Sequence, residues 1–122
     1  MPLQNYRELL VWQRGMDLTV CVYELVKSFP KDEQYGITSQ LKRATVSIVL
    51  NVAEGYGRHH RGDYLRFLSI ARGSCCEVET ILILVGRLGL ATKEQLNPAW
   101  AMTQEVGKML RALHERLNTD RE

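Results

Sequence analysis

The sequence predicts an all-α protein, an antiparallel up-and-down bundle of four helices. Three observations predict it. Four segments repeat apolar residues at alternating steps of 4 and 3, the links between them are short and marked by glycine or proline, and no run shows the two-residue alternation of a strand. Helices of similar length on short links pack as antiparallel neighbours, with crossing angles near roughly 20° for such a stripe. At 122 residues, 45% of them hydrophobic, the chain is expected to be one domain over residues 1–122 with one core.

Helix one is expected over about 10–28, with Trp12, Met16, Thr19, Tyr23 and Val26 as its inward stripe and Pro30 ending it. Helix two is expected over 37–55, where Ile37, Leu41, Ala44, Ile48, Asn51 or Val52, and Gly55 keep the same steps. The run Gly55-Tyr56-Gly57-Arg58-His59-His60-Arg61-Gly62 has three glycines and no apolar period, so it predicts a tight connection, with Asp63 capping helix three. That helix, over 63–88, carries Tyr64, Leu68, Ala71, Cys75, Val78, Leu82 and Val85, and Gly89 falls where a left-handed terminating residue belongs. Helix four is expected over 93–117 behind the capping box Thr92-Lys93-Glu94-Gln95, with Leu96, Thr103, Val106, Leu110, Leu113 and Leu117 inside. Pro98 predicts a break at Asn97 and a main helix starting at the proline.

Composition narrows the function classes. No signal peptide or membrane-length apolar run is present, which predicts a cytoplasmic protein without a membrane partner. Cys21, Cys75 and Cys76 suggest buried free thiols rather than a disulfide framework. The adjacent pairs Cys75/Cys76 and His59/His60 cannot chelate together on a helix, so no metal or other cofactor is expected, and His114 is placed on the exposed side of helix four. Gly55-Tyr56-Gly57 lacks the preceding strand and third glycine of a dinucleotide loop, and no catalytic arrangement has a local signature. The expectation is a protein that is not an enzyme.

The net charge of +2 hides a basic middle: residues 36–73 carry six Lys/Arg against two Asp/Glu. Lys42, Arg43, Arg58, His59, His60, Arg61, Arg66 and Arg72, with Tyr56 and Tyr64 nearby, are the candidate nucleic-acid-binding residues, because cations neutralise phosphates while tyrosine stacks on bases. A solvated charged face is the plainer alternative. Arg43, Ser47, Asn51 and Glu54 line one side of helix two, and Arg66, Gly73, Glu77 and Thr80 do so on helix three. Such a stripe predicts a network of Arg43 or Arg72 with Glu54, Glu77 or Glu79 that fixes register within the bundle or between subunits, or else a ligand site. Helices two and three also carry more apolar surface than one bundle hides. Val46, Val49, Leu50, Ala53, Phe67, Ile70, Ile81 and Leu84 are therefore expected at a contact between copies, the alternative being a helix three covered within one subunit.

The segment Leu41-Lys42-Arg43-Ala44-Thr45-Val46-Ser47-Ile48-Val49-Leu50-Asn51-Val52-Ala53-Glu54-Gly55 resembles the motif of the four helix bundle protein family, whose members include proteins encoded in intervening sequences of bacterial 23S ribosomal RNA genes. Leu10-Val11-Trp12-Gln13, Phe29-Pro30, Tyr35-Gly36-Ile37-Thr38-Ser39-Gln40-Leu41 and Phe67 to Thr80 extend the resemblance over nearly the whole chain. It departs mainly at Cys75 and Cys76, one of which is usually leucine in the family. The resemblance implies a barrel-shaped homopentamer and kinship with the accessory variability determinant of diversity-generating retroelements, a basic pentamer that binds nucleic acid and a reverse transcriptase. For most of the family the cellular role is unknown. The resulting expectation is a non-enzymatic homo-oligomer that presents Arg58 to Arg72 to RNA or DNA, with a scaffold or adaptor for a protein partner as the alternative.

Overall fold

A computed structural model describes residues 4–119. Among these are four helices, α1 (Leu10–Val26), α2 (Ile37–Gly57), α3 (Arg61–Arg87) and α4 (Lys93–Thr119), two short 3-10 turns at Tyr6–Glu8 and Lys31–Glu33, and no strand. Each helix packs on two others, α1 on α2 and α4, and α3 on α2 and α4, with the α2–α3 contact the most extensive. The largest side chains sealed between them are Leu18, Leu41, Ile48, Leu68, Leu82 and Leu110.

On α1 the inward face differs from the expected stripe. Val11, Gly15, Leu18, Val22 and Val26 are buried, while Met16 and Tyr23 are exposed and Trp12 is half-buried against the Tyr6 ring. The cause is Gly15, where a Cβ would stand 2.7 Å from Val49 Cγ1. A glycine at the point of closest approach lets α1 sit down on α2, yet it is invisible in a count of apolar residues. The helix also ends at Val26 rather than Ser28, because the Ser28 and Phe29 amides turn back to the carbonyls of Leu25 and Val26.

On α2 the expected Leu41, Ala44, Ile48, Val52 and Gly55 are buried, joined by Thr38, Thr45 and Val49. The helix continues through Gly55 and Gly57, so neither glycine terminates it. Gly55 is a packing residue: a Cβ there would meet Phe67 Cβ at 2.8 Å. The break falls instead at Arg58–His60, where His59 takes the left-handed conformation at φ 57. As α3 starts at Arg61, Asp63 lies in its first turn and is not the cap; His60 holds that position and makes no side-chain capping bond. Asp63 still faces the positive end of the helix dipole.

The end of α3 has the expected form. Gly89 adopts φ 72, its amide donates to Gly86 O and the Leu90 amide to Val85 O, the paired bonds of a Schellman ending. At the start of α4, Gln95 N donates to Thr92 Oγ1 at 3.1 Å and Thr92 N to Gln95 Oε1 at 2.8 Å, a complete capping box. The break expected at Asn97 does not occur, and Pro98 lies inside α4. Pro98 is exposed, so the carbonyl it leaves without a donor can face water, while Leu96 and Ala99 beside it are buried and hold the turn in place.

Candidate nucleic-acid interface

The turn between α2 and α3 gathers the densest part of the predicted basic cluster. Its ring is Phe67: the Arg58 guanidinium carbon stands 5.1 Å and that of Arg66 4.5 Å from the ring centroid. Arg58 Nε also donates to Glu54 Oε2 at 2.8 Å, and Arg66 lies 4.0 Å from Asp63. Two of the arginines are thus partly committed within the subunit. His59, His60 and Arg61 are exposed at the same turn. Tyr56 and Tyr64 meet edge to face at 5.9 Å, and burial, reinforced by Tyr56 and opposed by Arg116, pushes the Tyr64 phenol up to about 12. Tyr64 is therefore a half-buried packing residue and not a free stacking platform.

The remaining predicted cations are elsewhere. Lys42 and Arg43 stand about 24 Å along α2 from the turn, at ~1.5 Å per residue. Lys42 lies over the Tyr23 ring at 4.9 Å, and Arg43 lines a cleft of 230 Å³ with Gln40, Ser47, Glu77 and Ile81. Arg72 belongs to a third place, a cleft of 140 Å³ between α3 and α4 that it lines with Cys75, Cys76, Gln104, Lys108 and Arg111. The predicted cations are thus distributed over the turn, the side of α2 and the cleft between α3 and α4. Lys108 and Arg111 were missed because they lie outside the basic middle third. Their three-residue spacing places them on one side of α4, but only the pairing of α4 with α3 brings them to Arg72.

The cleft between α3 and α4 has three cations and one carboxylate, Glu79, which accepts a hydrogen bond from Gln104 Nε2. Arg72, Lys108 and Arg111 have no carboxylate partner among the described residues. Its floor is Gly107 and the buried Cys75, whose thiol donates to Thr103 O at 3.4 Å. Burial, with help from Glu79 and against Arg111, pushes that thiol up to about 12, so it is an inert core group. Near the same seam His114 is half-buried and shares a hydrogen bond with Ser69 at 3.2 Å, which corrects its placement on the exposed side.

The polar network takes a different form within the subunit. Ser47 Oγ and Ser74 Oγ are 2.8 Å apart, and Asn51 Nδ2 donates to Ser47 O and Oγ at 2.8 and 3.0 Å. Glu54 goes to Arg58 and Glu79 to Gln104, whereas Arg43, Arg72 and Glu77 form no ion pair among the described residues. Among the described residues the expected arginine–glutamate pairs do not form within the subunit, where Ser47 and Ser74 meet directly. Arg43 and Glu77 nonetheless line the same cleft.

Of the residues expected between copies, Val49 is corrected: it is buried against Gly15 inside the subunit. Leu50, Ile70 and Leu84 are exposed, at 61%, 42% and 42%, while Val46, Ala53, Phe67 and Ile81 are half-buried, Ile81 against the core. Among the described residues no group of three metal-ligating side chains occurs, and no helix is long and apolar enough to cross a membrane.

The 23S rRNA-intervening sequence protein family matches residues 7–112, and the chain belongs to that family. It is similar to a crystal structure of a protein with unknown function from the S23 ribosomal protein family of Bacteroides thetaiotaomicron VPI-5482, at 27% identity and a TM-score of 0.78, over 86% of this chain and 98% of that one. No curated protein matches the chain at a significant level.

Proposed function

We propose that this member of the 23S rRNA-intervening sequence protein family is a cytoplasmic, non-enzymatic nucleic-acid-binding protein that works as a homo-oligomer of antiparallel four-helix bundles. The observation that carries the reading is the convergence of Arg72, Lys108 and Arg111 on one cleft without ion-pair partners among the described residues. Three cations that line one cleft repel one another, and a phosphate backbone supplies anions at regular spacing. Arg61, exposed at the turn beside His59 and His60, extends the basic surface at one end. Repetition of these groups around an oligomer would multiply the field, and the exposed Leu50, Ile70 and Leu84 supply the apolar surface such an assembly needs. Short connections of a few residues between α2 and α3 and between α3 and α4 support antiparallel neighbours.

The test is a titration of structured RNA and duplex DNA against the protein at low and moderate salt, with an Arg72→Gln/Lys108→Gln/Arg111→Gln variant beside it. Wild type should bind tightly at low salt and lose affinity steeply as salt rises. Loss of three phosphate contacts should make the log–log salt slope shallower by about 2 to 3, at ~0.7 to 0.9 per contact. Absence of binding by the wild type at low salt would overturn the reading.

An adaptor for a protein partner is the second reading. It is favoured by a groove of 680 Å³ along α2 lined by Tyr23, Tyr35, Val46 and Leu50, in which Tyr35 is 91% exposed. Exposed aromatic and aliphatic side chains side by side are typical anchors of a protein contact.

A further inference from the structure

The basic cleft between α3 and α4 is one end of a longer groove. On α4, Lys93, Asn97, Trp100, Gln104, Gly107 and Arg111 recur at steps of 4 and 3, which puts them on one side of the helix. On α3, Arg72, Cys76, Glu79, Ile83 and Gly86 recur in the same way. The two stripes border the same seam. Arg72 and Arg111 line the basic cleft, Gln104 Nε2 donates to Glu79 Oε2, and Ile83 and Trp100 line a second cleft of 320 Å³. The groove is thus basic at one end and apolar at the other, with the Glu79–Gln104 bond between them.

The apolar end has the chemistry of a base-stacking site. Trp100 is 37% exposed at the cleft, Ile83 and Leu96 give it apolar walls, and Gly86 and Ala91 leave room beside them. No carboxylate lines this cleft, whereas Asn97 brings an amide and Lys93 a cation that has no carboxylate partner among the described residues. An indole with an open side is the aromatic platform that Tyr64, half-buried against Tyr56, is not. Trp100 precedes Lys108 by eight residues and Arg111 by eleven, about 12 and 17 Å along α4 at ~1.5 Å per residue. A stacked strand advances ~3.4 Å per nucleotide, so about four or five nucleotides reach from the cations to the indole.

We infer that the groove between α3 and α4 takes a single strand of RNA or DNA, with phosphates at Arg72, Lys108 and Arg111 and an unpaired base stacked on Trp100. The inference rests on the nucleic-acid binding proposed for those three cations and adds what they lack, a means of telling a single strand from a duplex. Phosphate neutralisation is blind to that difference. Stacking is not, because the faces of duplex bases are covered by their neighbours, and extruding one costs free energy.

The experiment titrates the full chain at low salt with a single-stranded oligonucleotide of about ten nucleotides, with the same sequence as a duplex, and with inorganic polyphosphate, which carries charge but no bases. The Trp100 indole resonance, identified by its loss in Trp100→Phe, reports the stacking. It should shift saturably with the single strand and stay still with polyphosphate. Trp100→Ala should weaken single-strand binding about tenfold or more while leaving polyphosphate affinity and the salt slope unchanged, and Trp100→Phe should keep most of the binding. The helical circular dichroism of both variants should match wild type, because Trp100 lies at the surface. Three results would overturn the inference and leave the phosphate binding of the three cations standing: a single strand that binds without moving the indole resonance, a Trp100→Ala variant that binds it like wild type, or a duplex bound as tightly as the single strand. A wild type that binds neither strand nor polyphosphate would remove both readings.

Discussion

Gly55 and Gly73 are both helix-interior glycines, yet a single methyl group has opposite consequences at the two. At Gly55 it would arrive 2.8 Å from Phe67 Cβ and 3.4 Å from the Tyr64 carbonyl, in the tightest part of the α2–α3 contact. Gly55→Ala should therefore lower stability by about 1–3 kcal/mol, the usual cost of overpacking. At Gly73 nothing lies within 4 Å, so Gly73→Ala should raise helix stability by about 1 kcal/mol. Urea midpoints at constant m would check both. Titration gives a second residue-level expectation. The Tyr64 phenol is raised from 10.0 to about 12 and the Cys75 thiol from 9.0 to about 12, in both cases first by burial. Between those limits the unfolded chain releases protons that the fold retains, so their contribution is complete below about pH 9 and is lost as pH rises towards 12. The urea midpoint should fall across that window, and the fall should be shallower in a Tyr64→Phe/Cys75→Ala variant; an equal slope in both proteins would exclude these two groups as its source.

Among the elements, the boundaries legible in the sequence are those where one side chain or one φ angle does the terminating. Thr92 and Gln95 announce the start of α4, and Gly89 the end of α3, because a capping box and a left-handed residue are local chemistry. The α2–α3 boundary was not legible for the converse reason. Its glycines answer to a neighbouring helix at Gly55, and the left-handed conformation falls to His59. The α1 face was misread because Gly15 marks it by being small. The candidate site follows the same division: the turn residues Arg58 to Arg61 adjoin in sequence, but the union of Arg72 with Lys108 and Arg111 exists only once α3 and α4 have paired. Local chemistry at α4 can be measured directly. Thr92→Ala should cost about 1 kcal/mol by freeing the Gln95 amide. Pro98→Ala should add on the order of 1–3 kcal/mol by restoring a helical donor and relieving the preceding turn. Thermal midpoints moving in opposite directions would show both; a Pro98→Ala variant no more stable than wild type would mean that the turn before the proline is already relaxed.

At the scale of the whole molecule, the question is what covers the outer face of α2 and α3. Ile70, Glu77 and Leu84 recur at steps of seven and share one side of α3. Arg43 and Ser47 adjoin that side across the cleft they line with Glu77 and Ile81, and Leu50 lies seven residues after Arg43 on the same side of α2. The face thus combines exposed leucine and isoleucine with one cation and one anion that find no partner among the described residues. A second copy would satisfy both needs at once, covering the apolar residues and offering Arg43 to Glu77 across the contact. Leu50→Glu separates assembly from folding, because a side chain 61% exposed contributes little to the core of its own subunit but would place an unpaired carboxylate in the contact. Light scattering should give a multiple of 14.0 kDa for wild type at micromolar concentration and 14.0 kDa for the variant, with the helical circular dichroism of the two unchanged. Glu77→Arg should impair assembly in the same way, and Arg43→Glu/Glu77→Arg should restore part of it by exchanging the charges. A wild type that scatters as a 14.0 kDa monomer would remove the assembly, and with it the multiplied basic field on which the proposed nucleic-acid binding rests.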